Sequence, residues 1–459
     1  MVSGWGRVSP AVCRLVRLTS EAQAMELLRA PDRRGLVARG LGRSYGDAAQ
    51  RAGGTVLETL GLDWVGRIDP ESATVEVGAG VSLGRLLRLL LPAGLFVPVS
   101  PGTRFVTVGG AIAADIHGKN HHRDGSFATH VDSLTLATPQ GLHRLAPSGE
   151  GSRLFWATAG GMGLTGVILA ARLRLTRVET ARMAVDTRRT DDLDGLLAAM
   201  EEADARHRYS VAWLDATARG AALGRGVLSA GDHARLDQLP PSQQRGGRAL
   251  RFRPRPGLLV APRLPASPFS PGVVRALNRA WWAASPRRES GRISALEPFF
   301  WPLDGVRGWN RLYGPGGLVQ YQLVVPFGQE RALRSVLEAV ARGPAPCCLA
   351  VLKRFGLASP GPLSFPSPGW TLAMDFPAAA PGLAGLLDRL DDEVAEAGGR
   401  VYLAKDCRLR PELLAAMYPR IEEWRLARQE ADPGGVLRSD LSERLVLAGA
   451  GQDQGQEAG

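Results

Sequence analysis

Residues 39–47 read Arg-Gly-Leu-Gly-Arg-Ser-Tyr-Gly-Asp, with Gly40, Gly42 and Gly46 spaced as GxGxxxG. Glycines so placed let backbone N–H groups converge on an anion such as a pyrophosphate. The spacing is one residue longer than the dinucleotide fingerprint GxGxxG, which also needs a helix directly after the loop. Here only the eight residues 47–54 precede the next strand signal, Thr55-Val56-Leu57, and Glu58 follows it. A βαβ crossover needs roughly 10–12 residues. A Rossmann fold is therefore disfavoured, and the loop reads as an anion nest or an ordinary tight turn. Two further glycine clusters, 101–111 and 156–166, suggest backbone approaching a large extended ligand. His117, Lys119, His121 and His122 stand within six residues. No carboxylate or spacing around them matches a known ligand pattern, so no metal site is expected. A histidine and lysine beside glycines suit an anionic group instead.

The elements that position these groups follow from periodicity. Leu36-Val37-Ala38 leads into the first loop as a strand, and residues 72–78, 133–137, 166–175 and 318–326 alternate as strands. Helices are predicted from the Ser82 N-cap to Leu91, and over 191–204, 330–342 and 382–397. Many short strands with few helices indicate an α+β fold. Residues 236–292 are rich in proline and arginine with few acids, and read as a mobile basic loop. The last dozen residues read as a disordered tail.

The 459 residues exceed one hydrophobic core and imply two or more domains. The composition is globular, 45% hydrophobic and 22% charged, and the formal net charge of +11 favours anionic partners. No nucleic-acid-binding signature accompanies the charge, so a nucleic-acid partner is not expected. Cys13, Cys347, Cys348 and Cys407 form neither a disulfide framework nor a zinc pattern. No apolar run is long enough to span a membrane, and Met1 to Arg14 shows no signal peptide.

Three long runs carry a resemblance: 38–48 around the glycine loop, 101–122 through the histidine-lysine segment, and 154–166. They resemble the vanillyl-alcohol-oxidase type of FAD-dependent oxidoreductase, and within it the decaprenylphosphoryl-β-D-ribose 2′-oxidases. The resemblance continues through 309–322, 362–366 and 402–406. It implies a two-domain flavoprotein, with a PCMH-type FAD-binding domain over 1–178 and an antiparallel-sheet substrate domain over 179–398. A C-terminal return over 399–447 would complete the first domain, leaving 448–459 as the tail.

By this resemblance the FAD would be lined by Ala38, Arg39, Gly40, Leu41, Gly42 and Arg43 of the loop. Ser44, Tyr45, Gly46, Asp47 and Ala48 continue that wall. Gly102, Thr107, Val108, Gly109 and Gly110 would follow, then Ala114, Asp115, Ile116, His117, Ile168 and Tyr402. Arg43 stands where many such enzymes tether FAD through a histidine, which implies noncovalent FAD, with a covalent link through His117 as the alternative. Lys405 would take the hydroxyl proton, with Tyr45 and His117 beside it. Read without the resemblance, Lys405 is a surface lysine pairing with Asp406. Lys119 and Lys353 would bind a lipid phosphate, and Trp213, Gln320, Gln322 and Phe355 would shape the pocket. Thr371 and Ala373 stand where the family carries asparagine and cysteine. Phe300-Trp301 replaces a tyrosine-histidine pair, and Val211 a serine.

The implied reaction is oxidation at C2 of a polyprenylphosphoryl pentose, with a separate NAD(P)H-dependent keto-sugar reductase completing an epimerisation for arabinan synthesis. An aldonolactone or alditol oxidase of the same fold is the alternative. The resemblance implies a cell-envelope location, peripheral to the plasma membrane on its periplasmic side, with the cytoplasmic face as the alternative. Trp281-Trp282 beside Arg279, Arg287 and Arg288 would suit such a surface.

Overall fold

The computed structural model describes residues 1–245, 247–254 and 259–449. Three sheets organise the chain. The first is parallel and three-stranded, with Thr55–Glu58 between Arg14–Arg17 and Leu36–Arg39. Leu36–Arg39 passes to Thr55–Glu58 through the glycine loop with no intervening helix, as the short 47–54 segment requires. The second sheet is antiparallel, ordered Thr74–Gly78, Val167–Arg174, Val131–Thr138, Gly141–Leu145.

The third sheet has eight antiparallel strands. From edge to edge these are Arg288–Ala295, Arg182–Thr190, Gly226–His233, Tyr209–Leu214, Leu349–Phe355, Gly369–Pro377, Leu318–Pro326 and Arg400–Val401. Side chains alternate across it. Val319, Tyr321, Leu323 and Val325 face a core built with helices Leu193–Asp204, Glu330–Arg342 and Leu383–Glu396. Gln320 and Gln322, on the alternate positions, line a cavity on the opposite face. The chain leaves this sheet only after Val401. It then returns to the first sheet, where Leu437 bridges Leu36.

The helix that begins after Ser82 runs Leu83–Leu90, and the Ser82 hydroxyl accepts the Arg85 N–H at 3.2 Å. Residues 108–113, which overlap the glycine cluster at 101–111, form a short helix capped by Thr107. The expectation of a mobile loop over 236–292 is overturned. This segment holds a 14-residue helix, Pro271–Ala284, and begins the edge strand Arg288–Ala295. Ser270 caps the helix and Pro271 opens it, the arrangement proline favours at a first turn. The expected disordered tail lies outside the described residues from 450 onward. No helix among the described residues is long and apolar enough to cross a membrane.

One ion cluster ties the C-terminal return to the glycine loop. Arg444 donates to both oxygens of Asp47, at 2.9 and 3.0 Å, and to Asp406 Oδ2 at 2.8 Å. The Asp406 Oδ1 accepts the backbone N–H groups of Arg408 and Leu409. Both carboxylates are buried, so removing the guanidinium leaves two unpaired charges. Breaking such a pair costs about 3–5 kcal/mol. Arg444→Met is expected to lose stability of that order in denaturant titration, together with flavin retention. A loss under about 1 kcal/mol would show the cluster to be a solvated surface contact.

Candidate active site

A cavity of about 930 Å³ lies between the glycine segments and the eight-stranded sheet. That is at the upper end of the roughly 300–1,000 Å³ typical of ligand pockets. Its first wall is the loop Ala38, Arg39, Gly40, Leu41, Gly42, Arg43, Ser44, Tyr45 and Ala48. A side chain at Gly40 would collide with the Thr107 hydroxyl, and one at Gly46 with the Asp406 carbonyl. The loop therefore lies directly on its neighbours and presents its backbone to the cavity. Gly102, Thr107, Gly109, Gly110, Ala114, Ile116, His117 and Ile168 continue the wall.

Four residues expected on this wall stand behind it. Gly46 is pressed against Asp406, and Asp47 is held by Arg444. Val108 is buried in the apolar core. Asp115 is fully buried, accepting from the Ser126 and Ser364 hydroxyls at 2.8 and 2.5 Å and from the Ala128 N–H at 3.0 Å. Its φ of +37° shows a backbone held in place by those bonds. Arg39 lines the cavity but spends its guanidinium on the carbonyls of Ala49 and Ser3. Arg43 lies with its guanidinium 3.9 Å from the centre of the Trp5 ring, and its Nε has no partner.

The facing wall comes from the eight-stranded sheet. Cross-strand register sets Gln320 opposite Asp375, Gln322 opposite Ala373, and Lys353 opposite Thr371. Trp213, Gln320, Gln322, Lys353 and Ala373 reach the cavity, as do Lys119, Tyr402 and Lys405. Phe355 does not; its ring packs against His117 at 4.8 Å and His121 at 4.5 Å. Thr371 does not either, and sits behind Gln322. The other histidines turn away. His121 accepts the Gly356 N–H, and His122 donates to the His207 carbonyl.

Three lysines therefore share one enclosure. Burial lowers the proton affinity of Lys405, Asp375 opposes that, and Lys353 adds to it; the pKa falls to about 7. Burial and then Lys353 bring Lys119 to about 7, and burial brings Lys353 to about 8. Lys405 lies 3.9 Å over the Tyr45 ring, and Lys119 donates to the Phe299 carbonyl. The pairing of Lys405 with Asp406 does not form, because Arg444 takes that carboxylate. Such lowered values are what a proton acceptor near neutral pH needs.

Sequence reading missed Asp375. It is buried, accepts from Gln320 Nε2 at 2.5 Å, and leaves Oδ2 unpartnered. Burial pushes its pKa up to about 6 against the pull of Gln320 and Lys405. An aspartate ending the apolar alternation Trp370 to Met374 was the available signal. Asp304 was also missed. It lines the cavity and accepts from the Thr103 hydroxyl at 2.6 Å and the Arg104 N–H at 3.0 Å.

A hydrogen-bond chain fixes His117. The Leu323 carbonyl can only accept, so the Thr371 hydroxyl donates to it at 2.8 Å. Thr371 Oγ1 must then accept from Gln322 Nε2, at 3.1 Å. The other proton of that amide points at His117 Nε2, 2.9 Å away. Burial, with Lys353, His121 and Lys405 nearby, holds the His117 pKa well below its usual range. The neutral ring thus accepts at Nε2 and carries its proton on Nδ1, which has no protein partner.

These features fit an extended pyrophosphate-bearing cofactor. Nothing stands within 4 Å of where a side chain at Gly102 or Gly163 would begin, so both leave room along the wall. The buried, unpartnered His117 Nδ1 and Arg43 Nε are donors that such a ligand can satisfy. Comparison with known proteins agrees. A family described as an FAD binding domain matches residues 13–146. A decaprenylphosphoryl-beta-D-ribose oxidase of Mycolicibacterium smegmatis is 44% identical over 450 residues, 97% of each chain. The chain belongs to the decaprenylphosphoryl-β-D-ribose oxidase family. It is an FAD-dependent oxidoreductase. A Streptomyces coelicolor protein from the mprA 5′ region is 45% identical over 374 residues, 80% of this chain and 100% of that one. Among solved structures, Physcomitrella patens BBE-like 1 shares the fold, with a TM-score of 0.65 and 15% identity. That alignment covers 95% of this chain and 92% of the other.

Thr371→Val keeps the shape of the side chain and removes its hydroxyl. The Gln322 amide then loses its anchor, at a cost of about 1–3 kcal/mol. Nitrogen-15 NMR of the imidazoles is expected to report a protonated Nδ1 at His117 in the native chain and in Thr371→Ser, but mixed tautomers in Thr371→Val. An unaltered tautomer in the valine variant would break the chain.

Proposed function

We propose that this chain oxidises the C2 hydroxyl of a polyprenylphosphoryl-β-D-ribose to the 2-keto sugar. The observation that carries the reading is the crowding of Lys119, Lys353 and Lys405 into one cavity whose outer lining includes Leu277, Trp281 and Phe299. The 44% identity to a decaprenylphosphoryl-beta-D-ribose oxidase supports the same substrate class.

FAD, held along the glycine loop and the 102–117 wall, would supply the two-electron acceptor for the hydride leaving C2. The chain's own groups handle the rest. Lys405, largely neutral just above pH 7, accepts the hydroxyl proton as the carbonyl forms. The carboxylate of Asp375 then stabilises the new ammonium. Lys119 and Lys353 hold the lipid phosphate, whose negative charge favours their ammonium forms once it is bound. His117 offers its Nδ1 proton and is held by Gln322, while Tyr45, Trp213 and Gln320 bound the sugar. Phe355 and Thr371 support His117 and Gln322 from behind, and Ala373 leaves a methyl where a thiol would narrow the pocket. FAD is held noncovalently, since Arg43 is stacked on Trp5 where the tethering histidine would stand. The keto product calls for a separate NAD(P)H-dependent reductase to complete epimerisation to an arabinose donor for cell-wall arabinan. A lipid-linked substrate is met at a membrane surface, so the chain would work at the periphery of the plasma membrane, on its periplasmic side by the family resemblance.

Anaerobic addition of a polyprenylphosphoryl ribose is expected to bleach the flavin. Bleaching by free pentitols or aldonolactones, and not by the lipid, would reassign the chain to a soluble-sugar oxidase. The single-turnover rate should climb as pH rises through about 7, because only the neutral Lys405 amine accepts a proton. Lys405→Met should slow it by about 10²–10⁴-fold. Lys353→Met removes a neighbouring positive charge, so the midpoint should move to higher pH. A flat pH profile, or full speed in Lys405→Met, would remove Lys405 from the chemistry. Acid precipitation is expected to release all of the FAD into solution.

A further inference from the structure

The helix Pro271–Ala284 turns its polar bonds inward and its apolar side chains outward. Its buried face is Val274 and Asn278, with Trp282 half-buried. Asn278 Nδ2 donates to Asp215 Oδ1 at 2.9 Å, and Trp282 Nε1 donates to the Thr190 carbonyl at 2.9 Å. Arg189 closes the C-terminal end by donating to the Ala283 carbonyl, with its guanidinium 4.4 Å from the Trp282 ring centre. On the neighbouring flank, about 100° round the helix, Val273, Leu277 and Trp281 follow one another at i, i+4 and i+8, and are 44%, 57% and 59% exposed. An amphipathic helix of a globular protein normally buries such a stripe. The adjacent tryptophans thus have opposite fates: Trp282 anchors the helix, and Trp281 faces out.

Two further observations say what covers the stripe. First, Leu277 and Trp281 also line the cavity, so the stripe runs continuously into its mouth. Second, between Asp237 and Glu289 the chain carries ten arginines and no aspartate, glutamate or lysine. Arg275 and Arg279 on the helix, and Arg287 and Arg288 just beyond it, are all exposed. We propose that this face docks on an anionic phospholipid bilayer. Val273, Leu277 and Trp281 then enter the acyl boundary, and the arginines meet the headgroups. Tryptophan and arginine are the side chains suited to that boundary. A second copy of the chain would bring the same arginines together, which like-charge repulsion opposes. A nucleic acid would answer the arginines but leave the apolar stripe in water. The docking rests on the helix alone and is independent of which sugar the cavity takes.

Sedimentation of the flavin-loaded protein with vesicles tests this. Strong binding is expected to equal parts phosphatidylglycerol and phosphatidylcholine, and weak binding to phosphatidylcholine alone. Binding should fall as salt is raised. Val273→Glu combined with Arg279→Glu should weaken it about tenfold or more, with flavin content and melting temperature unchanged. Bromine-labelled acyl chains should quench tryptophan fluorescence in the native chain and much less in Trp281→Phe. No binding to anionic vesicles, equal binding by the double variant, or undiminished quenching in Trp281→Phe each overturns the proposal. Concentration-dependent dimerisation abolished by the same double substitution overturns it in favour of a second copy. Because no sugar is present, the result is separable from the flavin-bleaching experiment.

Discussion

The contact on which the site depends is the grip of Arg444 on Asp47 and Asp406. Asp47 ends the glycine loop, and Asp406 follows the lysine assigned to proton transfer. With the two carboxylates held by one guanidinium, the loop presses against the turn at 404–406. The Tyr45 N–H then bonds the Ala404 carbonyl at 3.0 Å, and Gly46 lies on the Asp406 carbonyl with no room for a side chain. The cavity exists because these two segments are held close along one wall while the eight-stranded sheet forms the other. The same grip consumes the carboxylate that would otherwise neutralise Lys405.

Electrostatics inside the cavity follow from that geometry. Three lysines share an enclosure, and Asp375, bonded to the lining Gln320, keeps one carboxylate oxygen unpartnered. Burial disfavours every ammonium, and Lys353 adds to it for Lys119 and Lys405, so proton affinities fall toward neutrality. The hydrogen-bond chain from the Leu323 carbonyl through Thr371 and Gln322 to His117 is the polar counterpart. It fixes which imidazole nitrogen carries the proton, using a hydroxyl and an amide that belong to the sheet.

Much of this was legible in the sequence. The glycine loop and its short exit exclude a Rossmann crossover, and the strands and helices with clear period or capping signals appear where expected. The loop, the 101–117 run and Lys405 meet in one cavity. What the sequence concealed depends on register and on distant partners. Asp375 is one aspartate in an apolar strand until it is set opposite Gln320. Lys405 reads as the partner of its neighbour Asp406 because Arg444 is far along the chain. Helix 271–284 was obscured by the proline and arginine around it, although Ser270-Pro271 is a strong start signal and 274, 278 and 282 share a face. Here the capping residues, and not the composition of the segment, determine the local structure.

The seam between the first and last parts of the chain also has a consequence for biosynthesis. Leu36 pairs with Leu437, Asp47 with Arg444, and Gly46 lies against Asp406. Each contact joins residues separated by most of the polypeptide. During synthesis the N-terminal strands and glycine loop emerge early but have no partners to fold against. The pocket for the flavin gains its last wall only when residues 404–444 have cleared the ribosome. Loading of the cofactor is thus a late event, and a chain truncated before Arg444 would be born without a place to keep it.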